Sequence, residues 1–331
     1  MPLLSVENLR VEFATDAGPI AAVDGIDLAI ERGRTLALVG ESGCGKSMTA
    51  LAIMGLVPEP PGRVAADHIR FDGTELTALS RAERRNYRGN KIAMIFQEPM
   101  TSLNPAFTIG DQIGEGLMRH RGLSPRDAKG AAIELLRRVH VPAPEKRADE
   151  YPHRLSGGMR QRAMIAMALA CSPALLIADE PTTALDVSIQ AQILDLLREV
   201  RETTGTAVLL ITHNLGVVAE VADEVAVMYA GRIVERAPVT ELFANPQHPY
   251  TIGLLGAVPR LSGGRERLAT IAGNVPDPLH LPRGCRFAPR CPFAEPACRA
   301  TDPNFRELAP GHRAACLRAP LDETVLGARA A

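Results

Sequence analysis

A doubly wound α/β fold is what this sequence predicts, with a helical insertion and a smaller loop-rich segment after residue 235. Three observations carry the prediction. Short apolar runs at 36–39, 91–96, 174–178, 207–211 and 225–229 have the length and composition of buried strands, and they alternate with helical patterns at 47–56, 159–170 and 187–203. Residues 40–47 read Gly-Glu-Ser-Gly-Cys-Gly-Lys-Ser, a G-x-x-x-x-G-K-[ST] match lying between the first of those strands and the first of those helices. From about 99 to 170 the pattern turns helical with Gly and Pro breaks, which predicts a helical subdomain inserted into the α/β core.

Composition bounds the rest. At 331 residues the chain exceeds one ordinary domain, and 46% hydrophobic content suffices for a large core. A formal net charge of −1 gives no electrostatic case for nucleic acid as the main ligand. Residues 1–8 lack a basic start followed by an apolar core, so the expectation is a protein kept in the cytosol. The longest apolar run, 163–178, is broken by Cys171, Ser172 and Pro173 and is too short to span a bilayer, so membrane association is expected through partners. No internal repeat is visible. The domain division expected is 1–235 for the α/β core and 236–331 for the appendage, where Pro and Cys become denser and periodicity weakens.

The motifs state their chemistry. Gly40, Glu41, Ser42, Gly43, Cys44 and Gly45 form a loop whose glycines let successive N–H groups face one concavity, and the following helix adds its positive end. Lys46 can reach β- and γ-phosphates, and the Ser47 hydroxyl can ligate Mg²⁺. Leu175-Leu176-Ile177-Ala178-Asp179-Glu180 is an apolar strand ending in two acids, which is costly without a partner or a task. Asp179 suits the Mg²⁺ ligand opposite Ser47, and Glu180 suits the base for an attacking water; solvated acids at a strand end are the bland alternative. Ser156, Gly157 and Gly158 immediately precede a helical run and so make either an anion site or a simple N-cap.

Residues 40–47, Gln97 after an apolar strand, Leu155 to Gln161, Asp179-Glu180, Ala184-Leu185-Asp186 and His213 stand in the order seen in ATP-binding subunits of ABC transporters, and the chain resembles that family over essentially its whole length. The resemblance implies a P-loop ABC ATPase core and a head-to-tail dimer in which each ATP lies between one subunit's phosphate loop and the other's Ser156–Gly158 signature. It implies that His213 hydrogen-bonds the γ-phosphate, that Gln97 links nucleotide and Mg²⁺ to the transmembrane partner, and that Gln161 belongs to the signature. By the same resemblance Asp186 communicates across the dimer. Phe13 is a candidate for stacking on adenine, with a core phenylalanine as the alternative. DNA-repair relatives of this ATPase need a long coiled-coil insertion, and none is visible.

Flanking segments narrow the resemblance. Val39-Gly40-Glu41-Ser42-Gly43, Gln97-Glu98-Pro99-Met100-Thr101-Ser102-Leu103-Asn104-Pro105, Ala178-Asp179-Glu180-Pro181-Thr182-Thr183-Ala184-Leu185-Asp186-Val187 and Asn245-Pro246-Gln247-His248-Pro249-Tyr250-Thr251 closely resemble dipeptide and oligopeptide importer ATPases, and nickel and glutathione importers share much of the pattern. The partners implied are a second, related ATPase subunit, two transmembrane permeases and an extracytoplasmic peptide-binding protein. The place implied is the cytoplasmic face of a bacterial plasma membrane. Cys285, Cys291, Cys298 and Cys316 cluster in the appendage, whereas Cys44 and Cys171 lie apart. Four clustered cysteines in a cytosolic protein argue for Zn²⁺ or an iron–sulfur cluster over disulfides, with unligated structural thiols as a third reading. Family members with this tail carry a [4Fe–4S] cluster, which is therefore the cofactor expected beside ATP and Mg²⁺.

Overall fold

A computed structural model describes residues 1–98, 102–182, 186–257 and 271–321, with Val187 given by its backbone alone. In chain order the strands are β1 (Leu4–Thr15), β2 (Gly18–Ile30), β3 (Thr35–Val39), β4 (Gly62–Ala65), β5 (His68–Phe71), β6 (Thr74–Glu75), β7 (Ile92–Ile95), β8 (Leu175–Asp179), β9 (Ala207–Thr212), β10 (Glu224–Tyr229), β11 (Arg232–Pro238), β12 (Arg306–Ala309) and β13 (His312–Ala314). The helices are α1 (Lys46–Met54), α2 (Arg81–Tyr87), α3 (Ile109–Arg121), α4 (Pro125–Arg138), α5 (Pro144–Ala148), α6 (Gly157–Leu169), α7 (Val187–Thr204), α8 (Leu215–Val221), α9 (Val239–Ala244), α10 (Pro249–Gly256) and α11 (Pro296–Ala300). These elements divide between two compact units, one of residues 1–4, 29–35 and 70–211 and one of residues 5–28, 36–69 and 212–331.

In the first unit β7, β8 and β9 run parallel, with Ile92 opposite Leu175 and Leu175 opposite Ala207. Every residue of the three strands is buried. A parallel sheet covered on both faces requires this, and it explains why these strands read as unbroken apolar runs. The helical insertion is made of α3 to α6. Thr108 caps α3 by accepting from the Asp111 N–H, and Ser124 caps α4 through the Asp127 N–H, with Pro125 in the first turn where its missing donor costs nothing. Leu117 and Ala128 bury against Cys171, whose thiol serves as a small apolar side chain.

In the second unit β3 pairs parallel with β10, and β11, β13 and β12 continue the sheet as antiparallel neighbours. Strand β4 pairs antiparallel with β1, which also neighbours β2. The boundary expected at 235/236 falls inside β11. Tyr250 and Phe287, from beyond it, pack in one core with Val39 and Val227, from before it. The appendage thus places its few large apolar side chains into a core begun by earlier strands, and its weak periodicity follows from that.

Buried charge ties the same pieces together. Glu235 on β11 is 0% exposed and accepts from the Gln247 N–H (2.5 Å), the His248 N–H (2.9 Å) and His312 Nε2 (2.8 Å), so one carboxylate joins β11, the entry to α10, and β13. Asp24 on β2 meets Arg10, Arg232 and Arg286. Burial pushes its carboxyl up, but Arg232 and Arg286 outweigh that and hold it below the usual carboxylate range. Replacing Glu235 by Ala would leave two buried N–H groups and an imidazole unsatisfied. We expect a loss of about 3–5 kcal/mol, measured as a lowered denaturant midpoint with the tail melting first; an unchanged midpoint would show that this node carries no stability.

Candidate functional site

Strand β3 leads directly into the phosphate loop, and α1 starts at Lys46. The turns of the loop need positive φ, which Gly40 (154°), Gly43 (79°) and Gly45 (111°) supply. Packing adds a second constraint at two of them. A Cβ on Gly40 would stand 2.2 Å from the Met228 carbonyl oxygen, and one on Gly45 2.3 Å from that of Ala22. No side chain caps α1 at Gly45, so its first N–H groups remain available to an anion. Lys46 is 5% exposed, and its Nζ donates to the carbonyls of Gly40 (2.7 Å) and Glu41 (3.0 Å). Ser47 is half-buried in the first turn, Ser42 and Gly43 are exposed, and Cys44 is a buried thiol whose pKa burial raises.

Glu41, expected in the phosphate-binding loop, is held by two side chains from far along the chain. Its N–H donates to the Tyr250 hydroxyl (2.8 Å), and its carboxylate forms a two-pronged ion pair with Arg290. Neither Tyr250 nor Arg290 belongs to a phosphate-binding motif legible in the sequence. The segment around Tyr250 stood out only as a family-like run, and Arg290 carried no signal beyond lying one residue before Cys291.

The first unit gathers the other chemistry. Asp179 ends β8 and is 4% exposed. Glu180 follows in the left-handed backbone region (φ 48°), a conformation that costs a non-glycine residue about 1–2 kcal/mol and is found where a side chain must be aimed. Its carboxylate accepts from Gln97 Nε2 (3.2 Å), which brings together two residues the sequence reading assigned separately. Ser156 is the N-cap of α6, accepting from the Met159 N–H, and is exposed with Gly157. A Cβ on Gly157 would meet nothing within 4 Å, whereas one on Gly158 would lie 3.0 Å from Ile189 Cδ1. Gln161 faces inward instead: it is 3% exposed, and its Nε2 donates to the Pro181 carbonyl (2.6 Å), bracing the loop after Glu180. Asp186 caps α7 through the Ile189 N–H (2.9 Å), and hydrogen bonds from Ser188 and that N–H hold its carboxyl below the usual range. Ala184 and Leu185 of that motif, Thr183, and Pro99, Met100 and Thr101 lie outside the described residues.

His213, in the second unit, follows the end of β9 and is exposed. Asn214 next to it caps α8. Phe13 is half-buried in β1 opposite Gly62, whose lack of a side chain leaves room for the ring.

All four tail cysteines line one small cavity of about 20 Å³, with His248 and Phe287 among its walls. They are free thiols, and the Cys285 N–H donates to the Cys298 carbonyl (2.9 Å). Burial raises the Cys285 and Cys316 thiols and pushes Cys291 up to about 11. Four soft sulfur donors in an apolar setting fit zinc or iron–sulfur chemistry as a donor set. Among the described residues, however, no group of three or more His, Cys, Asp or Glu side chains is arranged to hold a metal ion. The expected cluster thus has its ligand types in one place without a preformed ion geometry.

Comparison with known proteins fits this arrangement. The ABC transporter family model matches residues 23–183, and the model for the oligopeptide/dipeptide transporter C-terminal region matches 234–298. The oligopeptide transport ATP-binding protein AppD of Bacillus subtilis is 52% identical over 314 residues, covering 95% of this chain and 96% of AppD. The dipeptide transport ATP-binding protein DppD of Escherichia coli is 50% identical over 323 residues, 98% of each chain. Among solved structures, the ATP-binding cassette MJ0796, dimeric in a post-hydrolysis state with ADP and Pi, matches with a TM-score of 0.64 and 28% identity over 71% of this chain and 98% of its own. Its α/β layout is therefore that of an ABC cassette, and the chain belongs to the family of ATP-binding subunits of peptide and dipeptide ABC importers.

Proposed function

We propose that this chain hydrolyses ATP to drive import of dipeptides or oligopeptides through an ABC transporter. The observation that carries the reading is its end-to-end match to AppD and DppD, including a tail of the oligopeptide and dipeptide transporter type. The cassette, about 1–235, supplies the ATPase, and 236–331 is the importer-type extension. Two permeases and an extracytoplasmic binding protein select and conduct the peptide, and the chain works peripherally at the cytoplasmic face with a second, related ATPase subunit. Among the described residues no helix is long and apolar enough to cross a membrane, so the coupling runs through those partners.

In the proposed reaction the glycine-rich loop and Lys46 bind the β- and γ-phosphates by fixed dipoles and one positive charge. Ser47, Asp179 and Gln97 provide oxygen donors suited to Mg²⁺, a hard cation. Glu180 takes the proton of the attacking water, with Gln97 fixing its carboxylate, and His213 hydrogen-bonds the γ-phosphate. Ser156, Gly157 and Gly158 close on the γ-phosphate of the partner's ATP, an arrangement in keeping with the dimeric MJ0796 cassette. Asp186 stabilises the start of α7 near that interface, and Phe13 stacks on adenine.

The four cysteines would hold a [4Fe–4S] cluster, which when bound supplies a cross-link between the segments that carry them; Zn²⁺ is the competing occupant. Because burial keeps three of the thiols protonated near neutral pH, loading releases protons and weakens as pH falls.

Glu180→Gln is expected to keep ATP affinity while turnover falls about 10²–10⁴-fold, measured as ATPase activity of the assembled transporter; near-normal hydrolysis would remove the base assignment. Lys46→Ala should instead lose nucleotide binding in an equilibrium assay, and unchanged affinity would argue against this loop as the ATP site. Anaerobically purified protein should be brown with about four iron atoms and four sulfides per chain, and Cys291→Ser should bleach it. Colourless protein with one tightly bound zinc ion would establish the alternative.

A further inference from the structure

The ATPase reading leaves Arg290 unexplained. This arginine belongs to the cysteine-bearing tail, yet its side chain is only 5% exposed and its guanidinium meets Glu41 of the phosphate loop. All five of its N–H donors have partners. Nη1 and Nη2 each reach one oxygen of Glu41 (2.7 and 3.0 Å), Nη1 also lies 3.4 Å from the Tyr229 hydroxyl, Nη2 reaches the Ile271 carbonyl (3.3 Å), and Nε reaches that of Ala272 (3.0 Å). A fork so fully engaged fixes its carboxylate in one place. Glu41 is the residue whose carbonyl also receives Lys46 Nζ and whose N–H is held by Tyr250, so its backbone sets where the lysine stands.

Charge gives the contact a second consequence. A carboxylate inside a loop that must bind a polyphosphate repels its ligand, and close pairing with a guanidinium cancels that repulsion.

We propose that Arg290 is a positioning residue for the nucleotide site: it neutralises Glu41 and holds the first turn of the phosphate loop in its phosphate-binding shape, so that the tail sets ATP affinity. This rests on the ATPase reading above and adds to it a residue from outside the cassette motifs. Because Arg290 immediately precedes Cys291, the thiol site and the phosphate loop are connected through adjacent residues.

The test uses the full-length chain in its transporter assembly, with equilibrium ATP binding and steady-state kinetics on the same preparations. Arg290→Ala should weaken ATP binding and raise KM by about 10-fold or more, while kcat at saturating ATP stays within about twofold. Adding Glu41→Gln to that variant should recover most of the affinity, since no uncompensated carboxylate then faces the phosphates. Arg290→Lys, which keeps a charge but not the fork, should fall between wild type and Arg290→Ala, and it serves as the informative variant should the alanine form fail to fold. Unchanged affinity in Arg290→Ala and Arg290→Lys, or a double variant weaker than Arg290→Ala alone, overturns the proposal. Lys46→Ala in the same assay separates the two levels: if it binds ATP like wild type, the nucleotide-site reading itself fails, whereas lost binding there beside intact binding in the Arg290 variants defeats only the role given to Arg290.

Discussion

A loop that binds a polyanion with backbone dipoles has to keep side chains out of its own fold, and the second unit is built around that requirement. Gly40 and Gly45 lie so close to the carbonyls of Met228 and Ala22 that even a methyl group would overlap them. The strand carrying Met228 must therefore hold its register against β3, which it does as a parallel neighbour with Val227 opposite Val39. Residues outside the glycine-rich loop thus decide whether its turns can form. The inward turn of Lys46 onto Gly40 and Glu41 extends the same dependence to the charged group.

The tail meets that requirement from the other side. Tyr250 and Arg290 reach Glu41, Arg286 reaches Asp24 on β2, and Glu235 gathers three donors from Gln247, His248 and His312. Tyr229, Tyr250 and Phe287 stack at tilted and edge-on angles beneath these polar contacts, with ring centroids 4.6–5.4 Å apart. An aromatic floor under fully paired charges is a low-dielectric setting, in which hydrogen bonds strengthen and a missing partner is costly. Such a network transmits position well because it has few ways to relax.

The sequence disclosed the elements whose side chains share one environment. Strands β3, β7, β8 and β9 are buried on both faces and read as unbroken apolar runs, and the glycine positions of the phosphate loop follow from backbone conformation alone. Strands β1 and β2 escaped because one face is half-exposed. Val11 and Phe13 flank Glu12, and Ile26 and Leu28 flank Asp27, so a search for continuous runs passes over them. The inward placement of Gln161 was hidden by its company, since it follows the exposed Ser156 and Gly157 and the half-buried Gly158, Met159 and Arg160. Contacts such as Glu41 to Tyr250 and to Arg290 span 209 and 249 residues, and no local pattern announces them.

That distance bears on how the two ends of the chain depend on one another. Cys285 and Cys291 supply two of the four thiols of the cavity, and Arg286 and Arg290 are each a neighbour of one of those cysteines. Arg286 anchors Asp24, two residues beyond the Ala22 carbonyl that restricts Gly45; Arg290 anchors Glu41 directly. Two arginine–carboxylate pairs therefore run from the cysteine-bearing segment, one to the phosphate loop itself and one to the strand that packs against Gly45. A single contact could be a packing accident of one side chain. Two contacts, leaving adjacent to two of the four thiols and reaching Glu41 of the glycine-rich loop and Asp24 of β2 beside it, tie the geometry of the tail to that of the loop and the strand it packs on.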